Sequence, residues 1–206
     1  MRSLAFLLMT FQLAALVQGF RSIRRIGSPI SLVRRMCAVV PGELTELSRL
    51  EIRVGKIVEI GIHPEGDTLF VEKVDMGEAE PRTIISGLVG FQTQEQLLNR
   101  YVIVLANLKP RTIKGITSNG MILCASNADK SKVDPLSPPA GAKVGELIRF
   151  EGHLSEPVEA GNRATKAYSK VADGFHTTED GVATYQGIPF MCPEGPCTSI
   201  LVGPIS

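Results

Sequence analysis

From residue 50 onward the chain repeats one pattern: a short run rich in Ile, Val and Leu, a cluster of Gly, Pro, Asp or Ser, then another short run. Runs of this length bounded by turn residues are strand signals, and their close spacing points to a small all-β-dominated fold. Leu50-Glu-Ile-Arg-Val54 alternates apolar and charged residues, Gly55 interrupts it, and Ile57-Val-Glu-Ile60 resumes. A glycine inside a strand marks a bulge or a sharp bend. His63-Pro-Glu-Gly-Asp67 is a turn cluster. Further strands are expected at residues 69–75, 82–86, 101–105, 121–125 and 146–150, with one short helix over 92–99. Strands in this order, with one short helix between the third and fourth, suggest an oligonucleotide/oligosaccharide-binding (OB) barrel. Periodicity alone does not separate it from another small barrel.

Tryptophan is absent and aromatics are few, so the core must be built from Ile, Val and Leu. About 165 residues follow residue 40, enough for one domain with a sizeable core. The barrel is expected over residues 41–150, with the Pro-rich stretch 134–141 as a loop leading into its last strand. Residues 151–206 read as a small β-rich extension, with strands at 182–185 and 188–190 around a Gln186-Gly187 turn. This unit is too small and irregular to fold alone and is expected to pack on the barrel. Val182, Tyr185, Ile188 and Phe190 are its expected covering side chains.

Charge divides unevenly. Residues 1–40 hold six Arg and no acid, and the remaining 16 Lys and Arg face all 21 acids, so the body carries a formal charge of −5. An asymmetry of this kind marks a separate basic arm. Arg2 precedes an apolar run from residue 4 to 17, and Val17-Gln-Gly19 is a tolerable cleavage site, the pattern of a secretory signal peptide. Phe20 then opens an Arg- and Ser-rich stretch of transit-peptide composition. The order resembles the bipartite presequence of algae whose plastids came from a secondary endosymbiosis. A single mitochondrial presequence and simple secretion are the alternatives. No membrane association is expected once residues 1–40 are removed.

Four cysteines leave the compartment open. Cys124 lies in an apolar run, where a buried thiol is usual. Cys192 and Cys197 bracket Pro-Glu-Gly-Pro and read either as two free thiols or as a local disulfide. The three histidines are scattered, so no metal site and no cofactor are expected. No nucleophile–base–orienter spacing or phosphate loop appears, so no catalytic residues are assigned and the chain reads as a non-enzyme.

The chemistry concentrates in Asn107-Leu-Lys-Pro-Arg-Thr-Ile-Lys-Gly-Ile-Thr-Ser-Asn-Gly-Met121, which places Lys109, Arg111 and Lys114 within six residues. Cations in a turn beside small polar groups suit an anionic backbone read by shape. This stretch resembles the signature of the tRNA-binding domain found in endothelial monocyte-activating polypeptide II and at the ends of some tyrosyl- and methionyl-tRNA synthetases. Arg53-Val-Gly-Lys-Ile57, His63-Pro-Glu-Gly-Asp67 and Pro81-Arg-Thr-Ile-Ile-Ser-Gly-Leu-Val89 fall in that family's order and spacing. Phe175-His-Thr-Thr178 and Val182-Ala-Thr-Tyr-Gln-Gly-Ile-Pro-Phe190 look like the extension of the polypeptide II type.

The resemblance implies an OB barrel that binds the outside corner of tRNA, with the extension imitating a second subunit so that the protein stays a pseudo-dimeric monomer. It assigns Lys109, Arg111 and Lys114 to the basic turn, and Ser118, Asn119 and Met121 to the contact run. Arg53 and Lys56 stand at first-strand positions that tend to be basic. His63 reads as a turn hydrogen-bonding residue, and Ser86 with Gly87 as a tight strand exit. Animal members carry a lysine run where this chain has only Arg163 and Lys166, which weakens the electrostatic contribution. The expected function is a free-standing tRNA-binding module that assists an aminoacyl-tRNA synthetase in trans. The alternatives are a protein-interaction, scaffold or chaperone-like OB module, and a secreted cytokine-like signal.

Overall fold

The computed structural model describes residues 42–206, which belong to one compact unit. The targeting segment read over residues 1–40 lies outside the described residues. The elements run β1 (Ile52–His63), β2 (Gly66–Asp75), β3 (Arg82–Ser86), α1 (Gln94–Leu97), β4 (Tyr101–Leu105), β5 (Arg111–Ile113), β6 (Ile116–Ser118), β7 (Met121–Ile122), β8 (Cys124–Ser126) and β9 (Val133–Pro135). The extension adds α2 (Asn162–Val171), β10 (Phe175–Thr177), β11 (Ala183–Tyr185), β12 (Ile188–Pro189), β13 (Met191–Cys192) and β14 (Gly195–Pro196).

The main sheet is antiparallel, in the order β3-β2-β1-β4-β7. Gly55 does not interrupt β1. It lets the strand run on at a crowded point, because a Cβ there would lie 2.7 Å from Val74 Cγ1 and 3.1 Å from Val104 Cγ2. Around this glycine β1 changes partner: residues 52–56 pair with β4, and residues 56–63 pair with β2. A register shift between Ile57 and Glu59 adds the local twist that a coiled strand needs. His63 pairs with Gly66, so the expected turn is tighter than the sequence suggested and β2 begins at Gly66.

Among the described residues no ladder closes the sheet into a full cylinder. β3 and β7 are its edges, and the seam between them is bridged by single bonds. The Ile85 N–H donates to Ser118 Oγ at 3.0 Å, and the Asn119 N–H donates to the Thr83 carbonyl at 2.9 Å. Gly120 passes where a Cβ would meet Ile84 Cδ1 at 3.1 Å and the Leu105 carbonyl oxygen at 3.3 Å. Arg82 reinforces the seam: it grips both Glu78 carboxylate oxygens and donates to the Ala106 carbonyl.

β4 separates two apolar clusters. Val102 and Val104 face Ile57, Phe70, Val74, Ile84 and Leu97 inside the sheet's curl. Ile103 and Leu105 face outward and are buried with Ile52, Val54 and the extension's Phe175 and Phe190. A strand buried on both faces needs an uninterrupted apolar run, which is what residues 102–105 supply. The cover is aromatic: Phe190 lies edge-on to Phe150 at 4.7 Å and to Phe175 at 5.1 Å. Tyr185 is half-buried against it, whereas Val182 and Ile188 are not part of the cluster.

Two expectations are corrected. Residues 146–150 do not form a regular strand. Their hydrogen bonds are divided, with Val54 and Ile52 of β1 pairing around Leu147 while Arg149 pairs with Met191 of β13. The segment therefore stitches barrel to extension. The β-rich extension also holds a helix where none was expected. Residues 162–171 form a ten-residue helix whose Ala164, Ala167 and Val171 are buried.

Candidate nucleic-acid interface

β5 and β6 form a hairpin in which Ile113 pairs with Ile116, leaving Lys114 and Gly115 as a two-residue loop. Both have positive φ, 45° and 84°. That combination fits the hairpin turn whose twist matches the flanking strands, and it is strained for lysine. The exposed Lys114 therefore stands at the hairpin tip, where its ammonium donates to the Glu65 carbonyl of the neighbouring β1–β2 turn. Buried His63 joins the same two turns. Its Nε2 donates to the Ile113 carbonyl at 3.2 Å, and its Nδ1 accepts from the Glu65 N–H at 3.1 Å. The turn role expected of this histidine is thus observed, extended by a bond to the basic hairpin.

The hairpin's base faces α2 across a cleft of about 320 Å³. Lys109 and Arg111 are exposed on its rim, and Ile85, Ile113 and Met121 give it an apolar lining. The opposite wall is Thr165 and Tyr168 of α2. Burial pushes the Tyr168 hydroxyl above the usual tyrosine range. The helix is attached directly to the basic segment. The Gly161 N–H donates to the Asn107 carbonyl, and the Lys109 N–H donates to Thr165 Oγ1 at 3.0 Å. Buried Asn107 anchors this joint, donating to the Arg49 and Val158 carbonyls and accepting from the Glu51 N–H.

The structure brings together Lys109, Arg111, Ser118 and Met121 around this cleft, with Lys114 at the tip of the hairpin. Ser118 is buried, and its hydroxyl is committed to the seam, accepting from the Ile85 N–H and donating to the Gly120 carbonyl. Asn119 opens onto the neighbouring cleft lined by Pro81, Arg82, Pro110 and Ala160. Arg53 and Lys56 stand apart. Arg53 is held by the Glu51 carboxylate and the Gly145 carbonyl, and Lys56 lies 5.7 Å from the centre of the Tyr101 ring. Lys56 is seven residues along β1 from His63, roughly 20 Å at the usual strand rise. Thr165 and Tyr168 are the residues that sequence reasoning missed. The signal was present in the helical spacing of Ala164, Ala167, Tyr168 and Val171 behind Gly161.

Among the described residues no group of three His, Cys, Asp or Glu is placed to hold a metal ion, and no helix is long and apolar enough to cross a membrane.

Residues 52–147 match the family model described as "Putative tRNA binding domain". The chain is 44% identical over 145 residues to the aminoacyl tRNA synthase complex-interacting multifunctional protein 1 of Cricetulus griseus, covering 70% of this chain and 40% of that protein. It is 44% identical over 163 residues to the cytoplasmic tyrosine–tRNA ligase of Gallus gallus, covering 77% of this chain and 31% of the ligase. It spans less than half the length of these curated relatives. Among solved structures it is similar to the C-terminal domain of Plasmodium vivax p43, with a TM-score of 0.73, 35% identity, and coverage of 79% of this chain and 100% of that domain. That match spans more of the chain than a barrel alone, and the chain belongs to the tRNA-binding domain family, in the type whose barrel carries a C-terminal extension.

Proposed function

We propose that this protein binds the outside corner of folded tRNA through the β5–β6 hairpin and the cleft it forms with α2. The observation that carries this reading is the concentration of three exposed cations, Lys109 just before the β5–β6 hairpin, Arg111 at its base and Lys114 at its tip, on a body of net charge −5. An acidic body offers no diffuse positive field, so an RNA contact must be local. The protein acts as a binding module without chemistry of its own, as a pseudo-dimeric monomer beside an aminoacyl-tRNA synthetase supplied in trans. Residues 1–40 direct it to a plastid of secondary endosymbiotic origin. A reporter fused to them and found in mitochondria or in the medium would overturn that destination alone.

The test is a mobility-shift titration of the protein with tRNA at two salt concentrations, beside a variant with Lys109, Arg111 and Lys114 all replaced by Ala. Loss of most affinity and a shallower salt dependence in the folded variant support the reading, because each neutralised phosphate contributes about 0.9 unit of log–log slope on duplex B-DNA. Unchanged affinity and slope would overturn it. The same acid excess favours a protein-interaction module as the second reading, and absence of any tRNA binding by the wild-type protein would favour that alternative.

A further inference from the structure

The last strands of the extension carry a feature that RNA binding does not use. β13 and β14 form a hairpin with Cys192 opposite Gly195, and Cys197 follows directly, its N–H donating to the Phe190 carbonyl at 2.8 Å. The two sulfurs lie 3.9 Å apart. Both thiols are buried, Cys197 completely and Cys192 nearly so, whereas Pro193, Glu194 and Pro196 of the tip are exposed. The surroundings are apolar: both cysteines belong to the cluster that contains Phe175, Phe190 and Ile148. Among the described residues no other cysteine competes for the pair, since Cys124 is buried in β8 with its thiol directed to the Ile122 carbonyl.

We propose that Cys192 and Cys197 are a dithiol–disulfide site that is oxidised by a low-molecular-weight disulfide and locks the extension onto the barrel. Cys192 is the attacking group. It is the less deeply enclosed of the two, and the hydrogen bond between the sulfurs holds its thiol below the ordinary range, while that same bond and burial push Cys197 up. The Cys192 thiolate attacks one sulfur of the small disulfide, forming a mixed disulfide and releasing one small thiolate. Cys197 then gives up its proton and attacks the Cys192 sulfur, so a bond forms between the two protein sulfurs and the second small thiolate leaves. The protein loses two electrons and two protons, and the small disulfide becomes two thiols. Because Cys192 is nearly enclosed, the first attack proceeds through a local opening of the hairpin tip.

The bond would close the stretch 192–197 at a structural joint. Met191 exchanges two backbone bonds with Arg149 at the end of the barrel, at 2.9 and 3.0 Å. Thr198 exchanges two with Ser137 in the Pro-rich loop. A covalent link between the strands that carry these contacts restricts the unfolded chain and resists peeling of the extension.

The test equilibrates the full chain in buffers of reduced and oxidised glutathione over a range of ratios. Samples are quenched in acid, alkylated, digested and mapped by mass. The expected result is one intramolecular disulfide between Cys192 and Cys197, seen as a peptide two hydrogens lighter and free of alkyl label. Unfolding temperature should rise by a few degrees on oxidation, and this shift should vanish in the Cys192→Ala/Cys197→Ala variant. A stable glutathione adduct on Cys192 without closure, or two free thiols even in oxidised glutathione alone, would overturn the proposal. So would pairing of either residue with another cysteine in preference to its neighbour. None of these outcomes bears on tRNA affinity, so the RNA reading stands or falls separately.

Discussion

The backbone N–H of Lys109 donates to the hydroxyl of Thr165 at 3.0 Å, which seats the first cation of the basic segment on helix α2. The same hydroxyl donates to the Gly161 carbonyl at 3.1 Å, so one side chain ties the basic segment to the first turn of the helix. Barrel and extension thus contribute to one surface. Thr165→Val should lower tRNA affinity several-fold while lowering stability by no more than about 1 kcal/mol, because water can replace the lost bond at this half-exposed joint. Thr165→Ser should restore binding. Affinity unchanged in the Val variant would show that the helix does not position the cations.

Lys114 occupies the left-handed region at a hairpin tip where Gly or Asn is the usual choice. Keeping lysine there costs about 1–2 kcal/mol of backbone strain, and strain retained at a surface turn points to function. Lys114→Gly should therefore raise the unfolding free energy, by about 1 kcal/mol at most once the glycine's added entropy when unfolded is counted. It should also weaken tRNA binding and flatten its salt dependence. A variant that is both more stable and equally tight would remove Lys114 from the interface.

Glu72 lies on the inner face of β2 and is fully buried. The Ser86 hydroxyl donates to its Oε1 at 2.6 Å, and Oε2 has no partner. Burial raises its pKa from 4.5 to about 7, a change that the Ser86 bond only partly offsets. The buried Cys124 thiol is pushed up as well, first by its own burial and then by the Glu72 charge. The folded chain therefore holds a proton on Glu72 that the unfolded chain gives up above about pH 4.5. The corresponding stability is fully present below pH 4.5 and is lost as pH rises through 7. Glu72→Gln should flatten that slope and stabilise the protein above pH 7, by up to about 3 kcal/mol at 1.36 kcal/mol per pH unit. Denaturant midpoints of both proteins between pH 4.5 and 8 check this, and parallel curves would contradict it.

The barrel was legible wherever a strand's environment is uniform along its length. Residues 101–105 read as buried because both faces of β4 meet apolar neighbours. Residues 146–150 read as a strand but divide their bonds between β1 and β13, a tertiary choice that no local pattern encodes. Gly55 read as an interruption because a close approach of Val74 and Val104 leaves the same mark in a sequence as a bend. Helix α2 was obscured by short polar residues and by alanines at its buried positions, which carry a weak apolar signal. The basic hairpin was visible as composition and as resemblance. The burial of Ser118 and the wall formed by Tyr168 depend on how the seam and the helix meet, and they emerged only in three dimensions.

The extension should be required for a monodisperse barrel. Ile52, Val54, Ile103 and Leu105 are almost fully buried on the outer face of the sheet, beneath the cluster of Phe175 and Phe190. Ending the chain after Glu151 would strip that cover. Exposing such side chains costs roughly 1.5–3 kcal/mol each, a sum comparable with the whole stability of a typical domain. The bared residues would also form one contiguous apolar face of the kind that drives association. The truncated chain should therefore dimerise or aggregate, whereas the full chain stays monomeric by light scattering. Phe190→Ala provides the graded version, with an expected loss of about 3–5 kcal/mol for a buried phenylalanine but no change of oligomeric state while the chain remains folded. A soluble, folded monomer ending at Glu151 would show that the outer face of β1 and β4 tolerates water and that the extension is an independent addition.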